Sequence, residues 1–175
     1  MSNLVCEAKS GYRRHASLLT ARFYTPQKTL MKFKLLNADA QRTYAVILES
    51  GDEVMQNMLA FTRQQQLKAS QFNAIGAFSS AMLGFFDFST KDYRKIPVSE
   101  QVEVLNVAGD ISEYKGEYRI HAHVVVGKSD GSAHGGHLIR ATVHPTLEVI
   151  VTESPAHLVR RMDDESGIPL INIGT

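Results

Sequence analysis

Two histidines set two residues apart in an apolar, β-rich run constrain this chain more than any other feature: Tyr118-Arg119-Ile120-His121-Ala122-His123-Val124-Val125-Val126. Side chains of a strand alternate between faces, so His121 and His123 leave the same face. Turn residues follow at Ser129-Asp130-Gly131, and Gly135-Gly136-His137 comes next. A hairpin turning there carries His137 back toward the pair. Three imidazoles in one place match the ligand set of a divalent metal, most simply Zn²⁺ with an open position for water. Two plainer readings stand beside it. These are half-buried, hydrogen-bonded sheet histidines, or an acid–base group working without metal. Gly135 and Gly136 either relieve crowding beside the site or mark a bulge or close strand packing.

Three further residues belong to the candidate site. His144, before Pro145 at an expected turn, is a reserve ligand. His134 replaces His137 if the hairpin register slips by one, because a slip exchanges the two faces. Glu148, flanked by Leu147 and Val149, is expected either to steady a ligand imidazole through its second nitrogen or to pair with Arg140 across the sheet.

The rest of the chain reads as a single α/β domain, α+β in character. Its largely antiparallel or mixed sheet packs against one main helix plus a short one. Residues 31–36 alternate weakly, and Arg42–Glu49 is a clear strand. Ser50-Gly51-Asp52-Glu53 opens the main helix, with Ser50 or Asp52 as its cap. Val54, Met55, Met58, Leu59, Phe61 and Thr62 recur at helical spacing through Gln66 and form a core-facing stripe. Ser70–Phe78 reads as a strand ending in a turn at Gly76, with Ala81–Asp87 returning as another. Further strands are expected near Tyr93–Ile96, at Val102–Ala108, through His121, at Gly136–Val143 and at Leu147–Thr152. Val102–Ala108 breaks strict alternation, so both of its faces are expected to be partly covered. Pro155 opens either a short helix containing Leu158 and Val159 or a loop leading to Arg160-Arg161. Apolar residues Ile168–Ile173 are expected to dock on the sheet or on a partner subunit.

Length and composition narrow the function classes. The 175 residues suffice for one hydrophobic core, and 43% apolar with 21% charged residues is globular composition. No apolar run approaches membrane-spanning length, and Met1–Tyr12 is too polar for a signal-peptide core. Cys6 is the only cysteine, so no intramolecular disulfide forms and a cytoplasmic setting is expected. The net charge of +1 conceals an asymmetry: residues 1–36 carry seven Lys or Arg against Glu7, while the remainder carries 12 basic and 17 acidic residues. Residues 1–40 therefore read as a basic extension with a possible first strand. Arg13, Arg14 and Arg22 are its candidates for weak phosphate contact. No helix-turn-helix or zinc-finger spacing accompanies them, and the chain lacks the dinucleotide, P-loop and nucleophile-elbow motifs.

From about Arg42 to Ile173 the chain resembles the plants-and-prokaryotes-conserved (PPC) domain. The matching pieces come in order. They are Glu49-Ser50-Gly51-Asp52-Glu53-Val54, Ile75-Gly76-Ala77, the aromatic strand ending at Asp87, Glu103-Val104-Leu105 with Gly109-Asp110-Ile111, Ile120-His121-Ala122-His123, Gly135-Gly136-His137-Leu138 and Thr146-Leu147-Glu148-Val149. The resemblance implies a PPC-like domain over residues 41–173, of the free-standing prokaryotic type, that associates as a homotrimer. It also implies metal binding through His121, His123 and His137. Plant members carry an AT hook, a short basic segment around Gly-Arg-Pro, which this chain lacks. Two function classes follow. One is a trimeric interaction module in which DNA is bound weakly and non-specifically through phosphates. The other is a zinc-dependent hydrolase or lyase, with a metal or small-molecule sensor as its non-catalytic variant. No sequence feature names a substrate.

Overall fold

The computed structural model of the chain describes residues 32–37, 41–154 and 158–172. The basic arm with Arg13, Arg14 and Arg22 lies outside them, as do Pro155–His157 and Ile173. Element order is β1 (Lys32–Asn37), β2 (Thr43–Glu49), α1 (Val54–Gln65), β3 (Ser70–Asp87), β4 (Asp92–Val98), β5 (Val102–Tyr114), β6 (Glu117–Gly127), β7 (Ala133–Glu153), β8 (Arg160–Met162) and β9 (Pro169–Ile171). Strands β1 to β7 form one antiparallel sheet, and β8 with β9 forms a separate two-stranded ribbon. No helix among the described residues is long and apolar enough to cross a membrane.

Alternation in the sequence becomes burial in the structure. In β2, Tyr44, Val46 and Leu48 are buried while the residues between them are half-exposed. Ala122, Val124 and Val126 of β6 and Leu147, Val149 and Val151 of β7 turn into the same core. The helix adds Val54, Met58 and Phe61, and the Tyr44 and Phe61 rings meet edge to face at 5.3 Å. The helix packs on β6 and β7, on the side of the sheet opposite His121 and His123. Between them these apolar faces bury the core that stabilises the domain.

The helix cap differs from the expected one. Glu53 is the cap, accepting from the backbone N–H of Met55 (3.3 Å) and Gln56 (2.7 Å), and reaching Ala141 N–H of β7 at 3.2 Å. Asp52 is buried and turned back to Glu49 N–H at 2.9 Å, and the Ser50 hydroxyl is taken by His144. The longer Glu53 side chain therefore ties the helix start to the sheet, which a serine at the cap does not reach.

Strand boundaries differ more. Ser70–Asp87 is one strand, with no turn at Gly76. At Gly76, φ is +149°, and a Cβ built there stands 2.2 Å from the Thr146 carbonyl oxygen. The glycine thus serves close approach of β3 to β7 rather than chain reversal. Ala133–Glu153 is likewise one strand, running through a cis His144–Pro145 peptide that the sequence places at a turn. Pro145 has no partner in either ladder, which is how a strand accommodates a residue without an N–H. The broken alternation of Val102–Ala108 is a register shift between Val104 and Asn106 that leaves Leu105 exposed.

These two long strands close the sheet on itself. Ladders run from β3 to β5, from β5 to β6, from β6 to the start of β7, and from β7 back to β3. Strand β6 is therefore held on both sides over the stretch that carries His123. After the sheet, Leu158 and Val159 join the end of β5 through Glu113, and the chain enters β8. The apolar Ile168–Ile171 segment docks back on β8 of its own chain.

Replacing Gly76 with alanine is expected to destabilise the protein by about 1–3 kcal/mol for the backbone conformation alone, with the clash against Thr146 added. Urea denaturation measures it, and a midpoint equal to the parent's would contradict the close approach of β3 and β7.

Candidate metal centre

The β6–β7 hairpin builds the site. Its turn spans Lys128–Ser132, closed by Lys128 N–H to Ser132 O at 2.8 Å, with Gly131 at φ +82°. The Asp130 carboxylate accepts from the Ser132 N–H and hydroxyl at 2.9 and 2.6 Å. The resulting register places His123 directly opposite His137. His121 lies two residues along on the same face. Gly136, beside His137, has the Gly84 carbonyl oxygen 2.7 Å from where its Cβ would be and so serves close packing of β7 on β3, whereas a Cβ on Gly135 would stand 3.2 Å from the Val124 carbonyl oxygen of β6.

Ring centroids of the three histidines lie 5.1 Å (His121–His123), 5.2 Å (His121–His137) and 5.5 Å (His123–His137) apart. One nitrogen from each lies within 4.8 Å of the others. A tetrahedral ion with bonds of about 2.05 Å needs nitrogens roughly 3.4 Å apart, a contraction that small ring rotations supply. Nδ1 of His137 is buried and has no hydrogen-bond partner. Such an orphan costs about 1–3 kcal/mol, so the donor set and its unmet nitrogen both fit a cation-binding role.

A carboxylate stands behind the cluster, but it is Asp110. It is the cross-strand neighbour of His121 on β5, with Oδ2 3.4 Å from His121 Nδ1. A proton held on that nitrogen orients the ring and leaves the other nitrogen to ligate. Asp110 is itself fixed by Arg160 of β8, whose Nη2 reaches both carboxylate oxygens at 2.8 Å. The same guanidinium donates to Ser112 Oγ at 2.7 Å and Pro169 O at 3.0 Å.

The other sequence candidates lie elsewhere. Glu148 is on β7, eleven positions from His137, facing Ile47 and Ile75 in the ladders. Arg140 is on the same strand opposite Met82, so the two cannot pair across the sheet. His144 is engaged 2.9 Å from Ser50 Oγ. His134 faces Val126 in the ladder and is one strand face away from His137. Sequence reasoning missed Asp110 and Arg160. The signal for Asp110 was its place in Gly109-Asp110-Ile111, which becomes meaningful only once the β5–β6 register is known.

Electrostatics favour the neutral form of His137 and His123. Burial, then the neighbouring His121, His123 and Arg160, push His137 from 6.5 down to about 4. Burial and His121 lower His123. Burial alone would raise the Asp110 carboxyl, but the hydrogen bonds from His121 and Arg160 and the Arg160 charge outweigh it and hold it below the usual range. Neutral imidazoles are the form that ligates metal at neutral pH. Tyr93 lies beside His137 with ring centroids 4.7 Å apart, and burial raises its phenol. On this side the cluster opens on a cavity of about 330 Å³ that the β8–β9 ribbon walls.

Comparison with known proteins identifies the family of this fold. The family model of the Plants and Prokaryotes Conserved (PCC) domain matches residues 36–155, and the chain belongs to that family. A crystal structure of a proposed DNA-binding protein from Bacteroides thetaiotaomicron superposes with a TM-score of 0.75 at 27% identity, over 82% of this chain and 97% of that one. A metal-containing protein of Archaeoglobus fulgidus gives 0.70 at 29% identity, over 81% and 97%. Over 125 residues, 70% of its length, this chain is 30% identical to the bifunctional protein GlmU of Synechococcus sp. (strain JA-3-3Ab). The chain spans about a fifth of the length of that curated relative (19%).

The pH dependence of the metal-free protein follows from His137. Between pH 6.5 and about 4 the unfolded chain binds a proton that the folded chain refuses. Stability is therefore full above pH 6.5 and falls as pH drops toward 4. Thermal melts across this window are expected to show a shallower fall for His137→Gln. Identical slopes for variant and parent would contradict the assignment.

Proposed function

We propose that this PPC-domain protein is a zinc-binding homotrimer in which His121, His123 and His137 would hold the metal beside the adjoining cavity. The observation that carries this reading is the convergence of three imidazoles from two paired strands on one small volume, with a buried His137 nitrogen lacking a partner. The metal-containing archaeal relative supports it. Zinc suits an all-imidazole set, although imidazole also serves other transition metals. A divalent ion there would polarise a carbonyl or make bound water acidic enough to attack near neutral pH. Asp110 and Arg160 hold His121 in place, and Tyr93 and the ribbon limit access of water from one side. Three imidazoles would fill three of the four positions of a tetrahedral ion, which supports the reading of a zinc-dependent hydrolase or lyase, or a sensor; the cytoplasmic setting is proposed from the single cysteine alone.

Purification without added metal, followed by elemental analysis, is expected to find near one zinc per chain. The His121→Ala, His123→Ala double variant loses it. Substoichiometric metal unchanged by the double substitution would overturn the site.

Self-association rests on the outer face of the sheet. Ile75 and Leu105, 59% and 55% exposed, line one groove there, and large apolar side chains grouped at a surface are the ordinary material of an interface. Light scattering is expected to give three times the 19.4 kDa chain mass, shifting toward one chain for Leu105→Glu. A parent mass of one chain would overturn the trimer.

A second reading, association with DNA, is favoured by the basic segment of residues 1–36 and by the proposed DNA-binding relative. Scattered Lys and Arg bind phosphates without reading bases, and three arms on one trimer add avidity. Binding to a labelled duplex is expected to fall steeply between low and physiological salt and to vanish when residues 1–30 are deleted. Salt-resistant binding by the truncated protein would place the DNA surface on the domain instead.

A further inference from the structure

The cavity beside the histidines has a wall chemistry of its own. Besides His121 and His137 it is lined by Arg119, Arg160, Tyr93 and Tyr114, and no carboxylate is in the lining. Ile168, Pro169 and Leu170 supply an apolar side. These three belong to the C-terminal segment, beyond the residues that the family model matches.

The two guanidiniums play different parts. Arg160 is buried and spends its donors on Asp110, Ser112 and Pro169, so it fixes the wall and has its charge compensated. Arg119 is exposed, and among the described residues it has no carboxylate partner. It lies over the Tyr114 ring at 5.9 Å, a contact that positions the cation while leaving its N–H groups unspent. On β6, Arg119, His121 and His123 follow one another at alternate positions, so all three share the outer face, with Arg119 about 7 Å along the strand from His121.

We infer that this cavity binds a small organic oxyanion, a single carboxylate or phosphate on an apolar body, with the charged group between Arg119 and the histidine centre and the body against Ile168–Leu170. This deepens the metal reading by giving the open coordination position a substrate class, yet Arg119 and the apolar wall would act without the ion. At about 330 Å³ the cavity is at the small end of ligand sites, which excludes a large nucleotide and admits a compact acid. Tyr93, beside His137, adds a phenolic donor at the same end.

Isothermal titration of the full zinc-loaded chain with benzoate, phenyl phosphate and benzyl alcohol tests this. At least one of the two anions is expected to bind and the neutral alcohol not, and the stronger anion tells carboxylate from phosphate. Arg119→Gln, an exposed position, is expected to weaken anion binding at least about tenfold, the loss of charge-assisted hydrogen bonds, with zinc content unchanged. Leu170→Asp is expected to weaken it as well by placing a like charge in the wall. Zinc content, measured on each sample, separates the two readings: a protein that takes up no zinc yet still binds the anion upholds the cavity and overturns the metal centre. Binding no tighter for either anion than for the alcohol, or equal for parent and Arg119→Gln, would overturn the inference.

Discussion

Direct pairing of His123 with His137 across β6 and β7 puts three imidazoles within one small volume, and the surrounding structure answers to that crowding. The rings cannot all carry charge at such separations, so burial and mutual repulsion hold His137 and His123 neutral. A neutral imidazole with a buried, unpartnered nitrogen is costly to keep. The fold retains it by fixing the register beyond slippage. A slip of one residue on β7 would turn His137 into the core and bring buried Leu138 out. The tight turn at Asp130–Gly131 and the closed ring of ladders oppose that slip from both ends.

The second layer of the site comes from farther away in sequence. Asp110 sits across the sheet from His121, and Arg160 reaches it from the C-terminal ribbon, fifty residues on. A buried, fully bonded guanidinium of this kind contributes little to stability over an apolar substitute. Breaking it leaves an uncompensated carboxylate behind His121. Its role is to hold geometry: it locks the carboxylate, which in turn orients the ring. The ribbon that carries Arg160 also supplies the apolar side of the cavity, so one element steadies the centre and shapes access to it.

Much of this was legible in the sequence because it follows period-two patterns. Tyr44, Val46 and Leu48 announced β2, the Ile120–His123 run announced a shared histidine face, and Ser129–Gly131 announced the turn that returns His137. Local signals misled where long-range packing decides. Gly76 and His144–Pro145 are chain breakers in isolation, yet each lies inside a long strand, one for close approach and one at a gap in the ladders. The cap is Glu53 rather than Ser50 or Asp52, because a longer side chain can bond both the helix start and Ala141. Glu148, in a strand near the histidines in sequence, is expected either to steady a ligand imidazole or to pair with Arg140, and it is placed for neither. Splitting β7 into two strands had hidden that it is eleven positions away along one of them. Asp110 and Arg160 could be recognised only once β5, β6 and β8 were placed together.

The central claim is that His121, His123 and His137 together make one metal centre. The most direct measurement is anomalous diffraction at the zinc absorption edge from crystals of the full chain grown with zinc. The account predicts one strong peak per chain, within bonding distance of a nitrogen from each of the three rings. A peak elsewhere, or ligation by only one of the three imidazoles, would contradict it.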